Sequence, residues 1–188
     1  MSLVQSFLPL ENAKARVLIL GSMPGKASLA AGQYYAHAQN LFWPILAELT
    51  GAVPASPYAA RVRALKAQGI ALWDVLASCA REGSMDSAID DATARANDFA
   101  SFYRSHPRIE RVFFNGAKAE ACYRRQVLPV LTQGLGPAAY LRLPSTSPAN
   151  ASMSRACKQT VWTRALRLAL AARTADKPAN GAGLSKVL

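Results

Sequence analysis

The densest group of side chains able to do chemistry is Gln33-Tyr34-Tyr35-Ala36-His37-Ala38-Gln39-Asn40-Leu41-Phe42-Trp43, in which four aromatic rings are interleaved with amides and a histidine. Rings supply stacking faces and amides supply directional donors and acceptors, a combination that could hold a planar base taken out of its helix. Tyr35 is the stacking candidate, whereas Phe42 and Trp43 read as anchors of the helix that follows. Asn40 carries a neutral carboxamide. It can accept a hydrogen bond from water and aim it, but it cannot remove a full proton, so it suits a dissociative reaction at a sugar carbon with oxocarbenium character. An Asn just before a helix is also an ordinary N-cap worth ~1 kcal/mol. Both roles stay open on these residues alone. His37 could assist departure of a purine protonated at N7 or simply order the loop.

Other segments carry weaker signals. Gly21-Ser22-Met23-Pro24-Gly25 is a turn after an apolar run. It is not a phosphate-binding P-loop, because Lys26 is followed by Ala27, and it lacks the third glycine of a dinucleotide fingerprint. Asn115 and Gly116 close another apolar run. Ser145, Thr146 and Ser147 could give hydroxyl and backbone N–H groups to phosphates or cap the next helix, and Asn150, Arg155 and Lys158 lie within reach of the same role. Asp74, after Trp73, is expected to order a neighbouring loop rather than to act as a catalytic carboxylate.

These residues need a frame. Residues 16–20, 70–76, 111–114 and 139–143 read as four strands, and 41–50, 56–68, 92–105, 118–131 and 152–173 as helices, with Pro129 interrupting the fourth and a polar loop at 144–150. Val161, Ala165, Leu168 and Ala172 mark one apolar face of the last helix. Strands alternating with helices predict a three-layer α/β/α domain around a four-stranded parallel sheet. Ligands of such sheets bind beyond the carboxyl ends of the strands, which gathers the loops after Leu20, Phe114 and Leu143 into one site. A single domain is expected over 1–173, with 174–188 a disordered basic tail.

Composition narrows the partners. The chain has 188 residues and a formal net charge of +11, which points to a polyanion. No apolar run reaches the ~18 residues that span a bilayer, and the N-terminus has no secretory pattern, so nucleic acid is favoured over a membrane. Three cysteines, Cys79, Cys122 and Cys157, form no CxxC pair, and neither a disulfide framework nor a metal site is expected. The expected protein is a cytoplasmic monomer without cofactor.

The segments at 21–25, 34–37 and 40–43 together resemble the first motif of the uracil-DNA glycosylase superfamily, whose mismatch-specific branch has Gly-Ile-Asn-Pro-Gly, Phe-Ala-His-Pro and Asn-Arg-Phe-Trp. Leu143-Pro144-Ser145-Thr146-Ser147-Pro148-Ala149-Asn150 resembles the second, DNA-gripping motif and precedes the last helix, as it does in the family. Met23 stands where other branches place a catalytic Asn or Asp. Ser-Met-Pro-Gly followed by Tyr-Tyr and Asn-x-Phe-Trp is similar to the DNA-deoxyinosine glycosylase branch. That resemblance implies Asn40 as the catalytic residue, with Tyr35, Ser22, Met23 and Asn115 around the base and Ser145, Thr146, Ser147, Asn150, Arg155 and Lys158 on the DNA.

An amide at position 115 would offer a donor and an acceptor to the O6 and N1–H of hypoxanthine. No lysine lies inside the motifs as an amine nucleophile, so a monofunctional glycosylase acting on deaminated bases, preferably hypoxanthine, is expected. A uracil or thymine mismatch glycosylase is the nearest alternative. A non-catalytic nucleic-acid-binding module is the alternative of another class, and Met23 is the residue that favours it.

Overall fold

The computed structural model describes residues 2–51 and 55–171. Four apolar runs form one parallel sheet: β2 (Val17–Gly21), β3 (Ile70–Asp74), β6 (Arg111–Asn115) and β7 (Ala139–Leu143), in the order β3-β2-β6-β7. Every residue of β2 and β3 is buried, as expected of strands covered on both faces by helices. Gly21 pairs in register with Asp74, and Asn115 with Leu143. Because all four strands run the same way, these four residues stand in a row along one rim.

The covering helices are α1 (Lys26–Ala31), α2 (Phe42–Thr50), α3 (Tyr58–Ala67), α4 (Phe99–Ser105), α5 (Ala117–Gln126) and α6 (Arg155–Ala171). Phe42 of α2 meets Trp162 of α6 edge to face at 6.3 Å. Tyr103 of α4 and Tyr123 of α5 join through their hydroxyls at 2.6 Å, and Phe114 of β6 packs on Tyr123. The architecture is the expected α/β/α sandwich. β7 is the open edge, and only Leu143 of that strand is buried.

Local readings differ in four places. The strand expected over 70–76 stops at Asp74, and residues Leu76–Arg81 form a separate strand, β4, in a small antiparallel sheet β1-β4-β5 with β1 (Ser2–Gln5) and β5 (Arg95–Ala96). The helix expected over 92–105 begins only at Phe99, capped by the Asp98 side chain, because 95–96 pairs with β4 instead. Between the turn at 21–25 and Asn40, where no helix is expected, lies the short helix α1. On α6 the buried face is Lys158, Trp162, Thr163, Leu166 and Ala169; of the expected stripe, Val161 and Ala165 pack against the core, Leu168 is 61% exposed, and Ala172 lies outside the described residues. Tryptophan at 162 offers more apolar area than leucine at 168, and burying it rotates the helix. Residue 173, the expected end of the domain, and the tail 174–188 lie outside the described residues.

Candidate active site

Asn40 sits half-buried at the mouth of α2, whose N-cap residue is Leu41. Its side-chain oxygen accepts the Phe42 N–H at 3.0 Å, so it does cap the first turn. A carboxamide oxygen has two lone pairs and its nitrogen two hydrogens. The cap uses one lone pair and fixes the direction of the rest.

Tyr35 is held against this turn. Its ring stacks on Phe42 with centroids 4.2 Å apart and planes 26° from parallel, and meets Tyr34 at 6.3 Å with the planes tilted by 42°. Tyr35 is also the one non-glycine among the described residues with positive φ, at 53°. Side chains with a Cβ rarely adopt that region, and such residues cluster at functional sites. The backbone turn aims the phenol at the rim, where its buried hydroxyl has no hydrogen bond of normal geometry among the described residues. Burial first, and then the Asp74 charge, hold this phenol far above its usual range.

Gly21 makes room for that approach. A Cβ on it would lie 2.3 Å from Asp74 Oδ1 and 2.9 Å from the Tyr35 hydroxyl. Asp74 is buried, and its other oxygen accepts Ser6 Oγ at 2.8 Å. Desolvation, with a smaller contribution from Asp86, raises its carboxyl from 3.8 to about 7, against the lowering effects of Ser6 and Arg81. Asp74 also receives Asn97 Nδ2 on its backbone carbonyl at 2.8 Å. It therefore orders the N-terminal segment and the turn before α4, in line with its expected role.

Thr146 ties the segments together. It is fully buried. Asn115 Nδ2 donates to its hydroxyl at 2.9 Å, its own N–H donates to Asn115 Oδ1 at 2.8 Å, and its carbonyl accepts the Leu41 N–H at 3.1 Å. The strand end, the second motif and the turn bearing Asn40 are thus one hydrogen-bonded unit. Asn115 spends one donor and one acceptor on Thr146, and its amide also bears on the Tyr35 hydroxyl, opposing the rise in that phenol's proton affinity.

Behind the second motif stands α6. Trp162 Nε1 donates to the Pro144 carbonyl at 2.8 Å, and Lys158 Nζ to the Asn150 carbonyl at 2.6 Å. Lys158 is only 3% exposed, and burial lowers its proton affinity. Its place in the fold is a brace under the loop rather than an open charge. Ser145, Ser147 and Asn150 are half-buried at the loop surface, and Arg155 is exposed at the start of α6. Ser22 and Met23 are buried in the turn after β2. His37 is exposed, its Nδ1 accepting the Gln39 N–H at 3.2 Å.

A further segment, which sequence reasoning passed over, reaches the same turn. Arg81 donates to the Pro24 carbonyl, Ser84 Oγ accepts the Lys26 N–H at 3.0 Å, and Ser22 Oγ donates to Asp86 Oδ1 at 2.5 Å. The only sequence signal was an arginine at the end of a strand-like apolar run.

Among the described residues no group of three or more His, Cys, Asp or Glu could hold a metal ion, and no helix is long and apolar enough to cross a membrane. The arrangement can orient a neutral water and hold a flat heterocycle.

Comparison with known proteins agrees with this chemistry. The family model for the uracil DNA glycosylase superfamily matches residues 8–166. A hypoxanthine DNA glycosylase of Methanosarcina barkeri is 38% identical over 116 residues, covering 61% of this chain and 72% of that protein. A hypoxanthine DNA glycosylase of Methanosarcina acetivorans is 34% identical over 152 residues, covering 80% of this chain and 90% of the relative. The solution NMR structure of a candidate uracil DNA glycosylase from Methanosarcina acetivorans superposes with a TM-score of 0.73 at 32% identity, covering 89% of this chain and 99% of that one. With its sheet order, its rim and both motifs in place, the chain belongs to the uracil DNA glycosylase superfamily.

Proposed function

We propose that this protein is a monofunctional DNA glycosylase of base excision repair that hydrolyses the N-glycosidic bond of hypoxanthine in DNA, with Asn40 positioning the attacking water. The observation that carries the reading is the Asn40 carboxamide, aimed by its bond to Phe42 N–H and still holding a free lone pair beside the Tyr35–Phe42 stack. The extruded base stacks on Tyr35, over Ser22 and Met23, with its O6 toward the Asn115 amide and its N1 edge toward the turn after β2. As the bond from the sugar to the base lengthens, its electron pair leaves with the base and the sugar takes on positive charge. The water held by Asn40 then bonds to the anomeric carbon and loses a proton to solvent. An amide suffices, because the nucleophile need not be deprotonated in advance.

Ser145, Ser147, Asn150 and Arg155 grip the phosphates, while Thr146 and Lys158 support the loop from beneath. The protein acts as a monomer in the cytoplasm on DNA and needs no cofactor. Support for hypoxanthine comes from the two curated relatives, both named for that base.

The test is alkali-cleavage analysis of duplexes containing hypoxanthine, uracil, xanthine or thymine, under single turnover, with Asn40→Ala alongside. Fastest cleavage at hypoxanthine, lost in the variant while DNA binding persists, is expected. A wild-type rate in Asn40→Ala would reject the assignment of Asn40. Binding without any abasic product from the unmodified protein would establish the non-catalytic reading.

A further inference from the structure

The segment from Arg81 to Asp86 approaches the turn after β2 at three points: the Pro24 carbonyl, the Lys26 N–H and the Ser22 hydroxyl. Two of them engage backbone groups and set where the turn lies. The third engages a side chain and has a different consequence. A hydroxyl has one hydrogen and two lone pairs, and Ser22 gives its hydrogen to Asp86 at 2.5 Å. Nothing is left for it to donate.

We infer that Asp86 is a positioning residue for base choice: by holding the Ser22 proton, it makes Ser22 an acceptor toward the bound base and so selects bases that present an N–H where adenine presents a bare ring nitrogen. Hypoxanthine carries a hydrogen on N1, and adenine, from which it arises by deamination, carries a lone pair there. A freely turning serine would satisfy either base by rotating its hydrogen. A serine whose hydrogen is engaged satisfies only the deaminated one and leaves adenine with two lone pairs facing each other.

The neighbourhood keeps that polarity in place. Ser22 is buried, its carbonyl accepts the Leu76 N–H at 3.1 Å, and Arg81, itself 2% exposed, locks the Pro24 end of the turn. The backbone of the turn is thus held on both sides of Ser22. Asp86 lies in a one-turn 3-10 helix, residues Asp86–Ala88; its charge is also felt by the Asp74 carboxyl and the Tyr35 phenol, but its one hydrogen bond to the turn is the one to Ser22. The inference rests on the proposal that Ser22 touches the base.

The experiment measures single-turnover excision from oligonucleotides carrying deoxyinosine or 2′-deoxynebularine, whose unsubstituted purine has an acceptor N1. The enzymes are wild type, Ser22→Ala, Asp86→Ala, the double variant and Asp86→Asn. Asp86→Ala is expected to lower the deoxyinosine-to-deoxynebularine rate ratio about tenfold, the scale of one neutral hydrogen bond. Ser22→Ala should slow deoxyinosine, and the double variant should be no slower than Ser22→Ala, because Asp86 works through that one hydroxyl. Asp86→Asn keeps an acceptor oxygen and should hold the ratio within about threefold of wild type.

If Asp86→Ala does not fold, Asp86→Val takes its place, with the same fall expected because valine offers no acceptor for the Ser22 hydrogen. A slow Ser22→Ala beside an Asp86→Ala with wild-type ratio overturns the inference and leaves Ser22 as a base contact. Full additivity in the double variant overturns it likewise. A Ser22→Ala enzyme indistinguishable from wild type on both substrates removes Ser22 from the base site, and the inference falls with that proposal.

Discussion

Asp74 gives the most quantitative test of the rim. Its carboxyl is buried against Gly21, with one oxygen on Ser6 and the other without a hydrogen bond from the described residues. Burial lifts it from 3.8 to about 7. A carboxyl raised in this way binds its proton more tightly in the folded chain than in the unfolded one. Between these two values the native state therefore holds more protons, and stability falls as pH rises. At about 1.4 kcal/mol per tenfold change in proton affinity, the difference corresponds to roughly 4 kcal/mol of destabilisation above neutrality.

Asp74→Asn removes the titration but keeps an acceptor for Ser6. Its stability relative to wild type should rise by roughly 2–3 kcal/mol between pH 5 and pH 8, following the linkage integral. Denaturant unfolding of both proteins over that pH range measures the effect directly. Parallel stability curves, with a constant offset at every pH, would refute a neutral carboxyl at this site.

Other outcomes follow from the same contacts. Asn40→Ser keeps a good helix cap and should unfold within about 0.5 kcal/mol of wild type, yet lose about 10²-fold or more in single-turnover rate, the scale of a missing transition-state contact. Equal rates would make the cap its whole role. Gly21→Ala places a methyl 2.3 Å from Asp74 Oδ1 and 2.9 Å from the Tyr35 hydroxyl, and should slow excision at least tenfold by displacing the stacking ring. Thr146→Val keeps the shape but strands Asn115 Nδ2, costing about 1–3 kcal/mol in thermal or denaturant unfolding. In salt-dependent DNA binding, Arg155→Ala should reduce the slope by about one counterion, whereas Lys158→Met should leave it unchanged because that ammonium is already spent on Asn150. A reduced slope in Lys158→Met would place its charge on the phosphates.

The apolar runs at 17–20 and 70–73 were readable as buried strands, because a strand covered on both faces is built mainly from apolar residues, and Asp74 is buried only at the rim end of its strand. Their alternation with helices then implied a parallel sheet and one common rim. The spacing of Tyr35, Asn40 and Phe42 was legible for a similar reason: a ring and an amide flanking a helix start are local features. Strand breaks were not legible. Val75 and Leu76 continue an apolar run, and only pairing of the following segment with Ser2–Gln5, more than seventy residues earlier, turns it into a second sheet.

Sequence alone determined the class of chemistry, since neutral amides and rings on a basic chain suit a polyanion carrying a flat base. It could not say which polar groups are already committed, because a hydrogen bond is decided by distance and direction between residues far apart in the chain. Tertiary structure settled those commitments: Thr146 joins Asn115 to the turn of Asn40, Lys158 is buried beneath Asn150, and Asp86 takes the hydrogen of Ser22. Side chains of one type differ in role according to what the fold has already bound to them.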